Sequence, residues 1–180
     1  MEKKNMVFIA TSLDGYIADK NGNIDWLHSI DNPDNLDMGY GSFTSNIDAI
    51  VMGRTTYETV LSFGIDWPYS VPVFVLSTTL NEIPEKLKGK VEIVKGSLSE
   101  VLETIHARGY YILYIDGGRT IQSFLKEDLI HSLTLTTIPI LLGGGFSLFG
   151  ELKKTLNFEC SESKYYSNKI VQNTFIRKKE

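Results

Sequence analysis

Residues 110–124 read YYILYIDGGRTIQSF, and this stretch indicates the fold class more directly than any other. A run of aromatic and β-branched residues ends at Asp116, glycines follow at 117 and 118, and apolar residues then return at helical spacing. A buried strand that passes at once into a helix is typical of a parallel α/β sheet. The glycines form either a tight turn or, because a helix N-terminus presents free N–H groups, a binding site for a phosphate.

The chain contains a second junction of the same kind in IDAIVMGRTTYE, residues 47–58. In both junctions an arginine and a threonine follow glycine: Arg54 and Thr55 in the first, Arg119 and Thr120 in the second. Arginine adds charge-assisted hydrogen bonds to an anion, and threonine adds a hydroxyl donor. The two junctions predict a pyrophosphate site, although neither has the GxGxxG or GxxxxGK[ST] pattern of common nucleotide-binding loops.

Apolar runs along the rest of the chain predict further strands. With the runs above, they cover residues 6–11, 47–52, 71–76, 91–94, 110–115, 133–140, 157–165 and 169–177. Several runs are apolar throughout, which indicates burial on both faces of a sheet. Because helical patterns separate the runs, we expect one α/β domain, residues 1–180, with a mostly parallel sheet. The last two runs flank YSNK, residues 166–169, and predict an antiparallel hairpin.

The clearest helix signal follows the fourth strand. Four apolar residues between positions 98 and 105 repeat at the i, i+3, i+4, i+7 spacing of one buried helix face. Ser97 and Glu100 match a capping box, in which each side chain accepts a backbone N–H of the first turn. Gly109 is the expected terminator of this helix.

Composition argues against several classes of function. The 180 residues carry a formal net charge of −4, which supplies no basic face for nucleic acid. The one cysteine, Cys160, leaves no disulfide framework or cysteine-cluster metal site, and its place in a predicted strand favours a buried side chain. No apolar run approaches the roughly 18 residues of a membrane span, and none resembles a signal peptide. We expect a cytoplasmic protein without a metal.

Polar residues follow two of the other predicted strands. Ser77 and Thr78 end the third apolar run, and Lys95 ends the fourth. Hydroxyls and a lysine at neighbouring strand ends suit a ribose phosphate; the alternative is a helix cap beside a solvated lysine. The three histidines show no spacing of a catalytic triad or a metal site.

Together these motifs resemble the dihydrofolate reductase-like family, and especially the reductase domain of bacterial riboflavin biosynthesis. The resemblance spans nearly the whole chain and rests on ATSLDGYIA (10–18), GNIDWL (22–27), VMGRTTYE (51–58), FVLST (74–78), YIDGGRT (114–120) and PILLGGGFSLF (139–149). It implies a three-layer fold with an eight-stranded, mostly parallel sheet and a C-terminal antiparallel hairpin. It also implies an NADPH-dependent reductase that transfers a hydride to a small pyrimidine- or pterin-like substrate.

The resemblance further implies which residues bind NADPH. Ala10 and Ile17 correspond to positions beside the nicotinamide, and the ribose 2′-phosphate would meet Ser77, Thr78 and Lys95. The remaining phosphates would meet the two junctions, which consist of Gly53, Arg54, Thr55 and Thr56 in the first and Asp116, Gly117, Gly118, Arg119 and Thr120 in the second.

On the substrate side, the resemblance implies Ser12, Asp14 and Trp26. We expect Asp14 to be the proton donor because it lies in the loop over the expected nicotinamide, although Asp14 followed by glycine is equally a turn dipeptide. Asp25 and Asp37 are weaker candidates. The resemblance also implies a homodimer, for which the hydrophobic segment IPILLGGGF offers an interface.

One feature of true dihydrofolate reductases is missing from this sequence. They carry an acidic residue on the first helix, four positions before a phenylalanine, and the residue four positions before Phe43 is Gly39. Asp37 lies two residues further back, which on a helix turns its side chain by about 200°. We therefore expect dihydrofolate not to be the physiological substrate.

Two other functions fit the same motifs. A flavin- or nucleotide-binding α/β protein with different chemistry would use the two junctions equally well. A non-catalytic protein that binds NADPH would also retain them.

Overall fold

A computed structural model describes residues 2–32, 35–166 and 169–178 and is organised around one eight-stranded sheet. Two short strands, β2 (Tyr16–Ala18) and β8 (Phe146–Ser147), form a separate antiparallel ribbon. The strands of the main sheet are β1 (Lys4–Ser12), β3 (Ala49–Gly53), β4 (Val73–Leu76), β5 (Val91–Val94), β6 (Ile112–Asp116), β7 (Ser132–Ile138), β9 (Phe158–Tyr165) and β10 (Val171–Arg177).

The sheet order is β5-β4-β3-β6-β1-β7-β10-β9. The first six strands in this order pair in parallel, and β10 pairs antiparallel with both β7 and β9. The predicted fold class, a mostly parallel eight-stranded sheet with a C-terminal antiparallel hairpin, is confirmed. Ser167 and Asn168, in the predicted turn of the hairpin, lie outside the described residues.

Within the described residues, four α-helices and two 3-10 helices connect the strands. The α-helices are α1 (Tyr40–Thr44), α2 (Arg54–Ser62), α3 (Leu98–Ala107) and α4 (Gly118–Lys126), and the 3-10 helices span Asp25–Ser29 and Glu85–Leu87. The Ser97 hydroxyl accepts the Glu100 N–H and the Glu100 carboxylate accepts the Ser97 N–H, so the predicted capping box of α3 is confirmed. No described helix has the length and apolar character needed to cross a bilayer.

The core lies in two layers because successive strand residues point to opposite faces of the sheet. On β3, Ala49 and Val51 join the layer that α3 and α4 cover, whereas Ile50 and Met52 join the layer that contains Tyr57 of α2. Both layers are closed to solvent along β3, and this double burial explains its continuous apolar run. The sheet is therefore the middle layer of three.

Strand β9 behaves differently from the central strands. It forms the edge of the sheet, and all of its residues except the first are exposed. The prediction that Cys160 is buried is consequently wrong: its side chain is exposed on this edge. On the segment predicted to reach a dimer interface, Leu141 is 69% exposed and Phe146 is 48% exposed. The homodimer itself stays a prediction.

Candidate functional site

The two strand–glycine–helix junctions lie side by side at one end of the sheet. Strands β3 and β6 are parallel neighbours with Met52 opposite Asp116, so both chains leave the sheet at the same level. Strand β4 lies on the other side of β3, with Leu76 opposite Gly53. The parallel pairing therefore brings the predicted phosphate-binding residues of separate sequence segments to a common edge, where ligands of open α/β sheets bind.

Each junction contacts the threonine of the other. A methyl group placed on Gly53 would lie 2.9 Å from the hydroxyl of Thr120, and one on Gly117 would overlap the hydroxyl of Thr56. Gly117 also has φ 89° and ψ 133°, a conformation that side chains strongly disfavour. Glycine is required here because the two backbones and two threonine hydroxyls already fill the space.

Helices α2 and α4 begin at these junctions without a side-chain cap. Each helix of nine residues therefore presents first-turn N–H groups that no capping side chain satisfies, together with the positive end of its dipole. This arrangement fits a cofactor that carries two linked phosphates. Arg54 is about half exposed, with its Nε 3.7 Å from the Glu58 carboxylate, and Arg119 is exposed at the start of α4.

Ser77, Thr78 and Lys95 lie at the next two strand ends, because β4 and β5 pair with Leu76 opposite Val94. The Ser77 hydroxyl accepts the N–H groups of residues 79 and 80 at 3.2 and 2.9 Å, and so holds a turn. The Lys95 ammonium donates to the side-chain oxygen of Asn81 at 3.3 Å. The structure thus brings the three residues together at the edge of the sheet and gives two of them local partners.

Asp116 ends β6 in a cluster of tyrosines. Its carboxylate accepts the Gly117 N–H at 2.8 Å, but burial outweighs this bond and raises the pKa of Asp116 to about 6. Burial also raises the pKa of Tyr40 to about 12, with the negative charge of Asp116 as the second cause. The pKa values of Tyr69 and Tyr114 are raised for the same two reasons. Asp116 is therefore a carboxyl group that can hold a proton near neutral pH.

A cavity of about 240 Å³ lies on the face of β1 and β7 that carries Phe8 and Thr136. Phe8, which lines it, contacts Tyr40 with ring centroids 5.6 Å apart. Most of its walls are apolar, and its lining consists of Phe8, Ala10, Leu27, His28, Ile30, Asn32, Asp37, Met38, Thr136, Ile138 and Ile170. An apolar cavity with a few polar groups is typical of a small-molecule site.

Asp37 is the one carboxylate among the described lining residues. It lies before α1 rather than on it, and its two oxygens accept the N–H groups of Gly39 and Gly41, each at 2.9 Å. These bonds lower the pKa of Asp37. Asp37 lines the cavity, and the helical rotation by which its direction was judged from the sequence does not apply to it, because it lies outside the helix.

Gln172 of β10 forms hydrogen bonds to two residues of the cavity lining, Met38 and Thr136. Its buried side-chain N–H₂ group donates to the Thr136 hydroxyl at 2.8 Å and to the Met38 carbonyl at 3.0 Å, and its oxygen accepts the Tyr166 hydroxyl at 3.2 Å. Thr136 accepts this hydrogen bond, so its own O–H proton remains to be donated to another group. The hairpin strand thereby fixes both Thr136 and the loop that carries Asp37.

The three residues predicted on the substrate side do not line this cavity. The Ser12 hydroxyl donates to Asp14 at 2.6 Å and accepts the Tyr16 N–H. Asp14 also accepts the N–H groups of residues 142 and 143 at 3.1 and 2.8 Å, and these bonds, led by the one from Ser12, lower its pKa. Trp26 packs in a small cluster with Ile138 and Ile170, which do line the cavity.

Ala10 and Ile17 connect the two parts of the site. Ala10 lines the cavity, and the Cδ1 atom of Ile17 lies so close to Gly118 that a methyl group there would be 2.7 Å away. Strand β1, which ends near both, is the direct neighbour of β6. Among the described residues, no group of three or more histidine, cysteine, aspartate or glutamate side chains could hold a metal ion.

Comparison with known proteins agrees with this architecture. The family model described as RibD C-terminal domain matches residues 3–172. The chain belongs to the RibD C-terminal domain family. A Shewanella sp. PV-4 protein provisionally assigned to riboflavin biosynthesis is 53% identical, with a TM-score of 0.95 and coverage of 98% of this chain and 99% of that chain.

More distant structures share the fold of this RibD C-terminal domain. A Thermotoga maritima diaminohydroxyphosphoribosylaminopyrimidine deaminase/5-amino-6-(5-phosphoribosylamino)uracil reductase is 14% identical, with a TM-score of 0.75, and the match covers 98% of this chain and 57% of that one. Enterococcus faecalis dihydrofolate reductase, in complex with NADP(H), is 17% identical, with a TM-score of 0.67 and coverage of 98% and 97%. The dihydrofolate reductase-like fold predicted from the motifs is confirmed.

Sequence reasoning missed most of the cavity of this RibD C-terminal domain. Phe8 and Ala10, like Thr136 and Ile138, are two apart on neighbouring strands and so share one face, a periodicity visible in the sequence. His28, in the 3-10 helix Asp25–Ser29, and Asn32, outside any helix or strand, carry no such signal.

Proposed function

We propose that this chain is an NADPH-dependent reductase that acts on a small heterocyclic substrate of the pyrimidine or pterin kind. The observation that carries the proposal is the pair of interlocked junctions with uncapped helix N-termini, joined through β1 to an apolar cavity. Membership of the RibD C-terminal domain family supports a reductase of this type.

In this proposal the two ends of the site have different tasks. NADPH, when bound, supplies the hydride. The N–H groups at the starts of α2 and α4, with Arg54 and Arg119, bind its phosphates, and the hydroxyls of Thr55 and Thr56 add donors. Ser77, Thr78 and Lys95 bind the ribose 2′-phosphate. The walls of the cavity exclude water and orient the substrate beside Ala10.

We assign the proton-donating role to Asp116 in place of Asp14. Asp14 already accepts three hydrogen bonds and has a lowered pKa, so it is a poor acid at neutral pH. Asp116 has a pKa of about 6 and adjoins the cofactor-binding glycines. A group with a pKa near the working pH is the more effective general acid. In our proposal Asp14 serves to tie residues 142 and 143 to the loop after β1.

Titration with NADPH and with NADH, followed by the melting temperature, tests the cofactor assignment. We expect a clear rise with NADPH and a smaller rise with NADH. Equal rises would contradict the 2′-phosphate role of Ser77, Thr78 and Lys95, and no rise with either would overturn the proposal. Oxidation of NADPH with a panel of pterins and pyrimidines then separates an enzyme from a protein that only binds NADPH.

Replacement of one phosphate-binding arginine gives a sharper test. Arg54→Ala should weaken NADPH binding by about 1.5–3 kcal/mol, because a charge-assisted hydrogen bond to a phosphate is lost. Calorimetry measures the change in Kd. Arg108→Ala is the control, since Arg108 lies at the C-terminal end of α3, forms an ion pair with Glu92 and belongs to neither junction. An unchanged Kd in Arg54→Ala would remove Arg54 from the site.

A further inference from the structure

We propose that the substrate of this cavity is an unphosphorylated planar ring that bears an N–H donor, which the Asp37 carboxylate accepts. This inference rests on the proposed reductase function and narrows its substrate class. It separates this chain from the T. maritima relative, whose name specifies a phosphoribosylated uracil and which shares the fold at 14% identity.

The charges around the cavity do not suit a phosphate. Its described lining contains one carboxylate, Asp37, and neither a lysine nor an arginine. A phosphate inside would be desolvated among apolar side chains with no lysine or arginine beside it, only the imidazole of His28, and it would be repelled by Asp37. A neutral group meets neither penalty.

The cations that suit phosphates lie at the other part of the site. Arg54 is the first residue of α2, Arg119 is the second of α4, and Lys95 follows β5, all at the strand ends where we place the cofactor. None of these three residues lines the cavity. The distribution of charge therefore assigns anion binding to the junctions and leaves the cavity for a ligand without one.

The size of the cavity points the same way. Its volume of about 240 Å³ is below the range of roughly 300–1,000 Å³ that is usual for sites of drug-sized ligands. A single ring with small substituents suits this volume. A ribose phosphate attached to the ring would have to extend beyond the cavity lining.

The polar groups of the cavity lining indicate which hydrogen-bond donors and acceptors the ring of the ligand carries. Each Asp37 oxygen accepts one backbone N–H, so each keeps capacity for another donor. Thr136 accepts from Gln172, so its O–H proton remains available for an acceptor on the ligand. Together they offer an acceptor and a donor, and an aminopyrimidine ring carries both complements.

The test compares three related compounds by calorimetry in the presence of saturating NADP⁺. These are 5,6-diaminouracil, 5-amino-6-ribosylaminouracil and the 5′-phosphate of the latter. We expect the bare ring to bind, and the phosphorylated compound to bind at least tenfold more weakly than its dephosphorylated form. Equal or tighter binding of the phosphorylated compound would overturn the inference, as would failure of the bare ring to bind.

Variants locate the interaction. Asp37→Asn should weaken binding of 5,6-diaminouracil at least tenfold and leave the Kd of NADP⁺ unchanged, whereas Asp31→Asn, an exposed neighbour that does not line the cavity, should change neither. Unchanged ring affinity in Asp37→Asn would overturn the role of Asp37. If Asp37→Asn fails to fold, a comparison of Thr136→Val with Thr136→Ser tests the same cavity. We expect the valine variant to lose affinity for 5,6-diaminouracil and the serine variant to keep it. Equal affinities in the two variants would contradict the inference.

Failure of this inference can be distinguished from failure of the proposed function. If the melting temperature responds to NADPH but the phosphorylated compound binds best, the reductase proposal stands and the substrate class is wrong. If NADPH produces no response, the proposed function fails at its first step, and the inference that rests on it fails too.

Discussion

Helices α2, α3 and α4 begin in two contrasting ways. Helix α3 caps itself, because Ser97 and Glu100 satisfy each other's backbone N–H groups. Helices α2 and α4 begin at Gly53 and Gly117 with no side-chain cap. A helix that serves only the core can use its own side chains at its start, whereas a helix that binds an anion must leave those donors available.

A carboxyl group near each kind of start shows the same contrast. Glu100 in the first turn of α3 has a lowered pKa, mainly because the Ser97 hydroxyl donates to it. Asp116 lies just before α4, accepts one N–H, and has a pKa raised to about 6 by burial. The start of α3 thus stabilises the ionised form of Glu100, whereas burial before α4 makes Asp116 costly to ionise.

The largest effect is expected from Gly117→Ala. The methyl group would overlap the Thr56 hydroxyl, and alanine is strained at φ 89°. We expect the free energy of unfolding to fall by roughly 3 kcal/mol or more, since strain alone costs about 1–3 kcal/mol. Urea denaturation measures the change, and NADPH affinity should be lost as well.

Gly109→Ala is a matched control for this variant. Gly109 follows α3 and also has φ 89°, but a methyl group placed on it would meet no atom within 4 Å. It should therefore show the strain without the overlap. Equal losses in the two variants would mean that the contact between the junctions contributes nothing.

An intermediate effect is expected from Asp116→Asn, and it depends on pH. The pKa of Asp116 in the folded protein, about 6, exceeds the value of roughly 3.9 expected when unfolded, so folding favours the protonated form. The stability associated with this group is present below pH 4 and is lost as the pH rises through 6. Relative to the wild type, Asp116→Asn should gain about 2–3 kcal/mol between pH 4 and pH 7.5.

Glu100→Gln should show the opposite pH dependence. The pKa of Glu100 is lowered in the folded protein, so its contribution is present above the unfolded value and disappears as the pH falls through the folded one. The variant should be less stable than the wild type at neutral pH and approach it in acid. The same sign in both variants would contradict the contrast between the two helix starts.

The smallest effects are expected when alanine replaces one polar residue at the start of α3 or of α2. Ser97→Ala should cost about 1 kcal/mol of stability, the usual value for a lost N-cap, with NADPH affinity unchanged. Thr55→Ala should leave stability within about 0.5 kcal/mol and weaken NADPH binding by about 1 kcal/mol. Chemical denaturation and calorimetry on both variants would show whether stability and binding separate in this way.

The sequence predicted the fold well because its local signals agree with one another. Strand β5 was predicted with its observed bounds, Val91–Val94, and the capping box of α3 was read directly from Ser97 and Glu100. Both depend on neighbours in the chain. The ribbon of β2 and β8 was not predicted, since its strands have three and two residues and lie far apart in sequence.

The site, too, was predicted where it depends on local sequence signals and missed where it depends on contacts between distant segments. The junctions come together because parallel strands end at a common edge, a consequence that can be drawn from motifs alone. The position of Asp37 could not be predicted, because it depends on where α1 begins, and Gly39 in a left-handed conformation sets that point. Sequence spacing also gave no indication that Gln172, 36 residues from Thr136, would bond to its hydroxyl.

The place of β1 in the sheet has a consequence for synthesis on the ribosome. β1 pairs with β6 and β7, with Met6 opposite both Tyr114 and Ser132. A growing chain therefore carries this largely apolar strand without its partners until more than a hundred further residues have been made. Pairings of such long range fold slowly and leave strand edges open to other chains. Slow translation of residues 20–110 should therefore favour aggregation of nascent chains over productive folding.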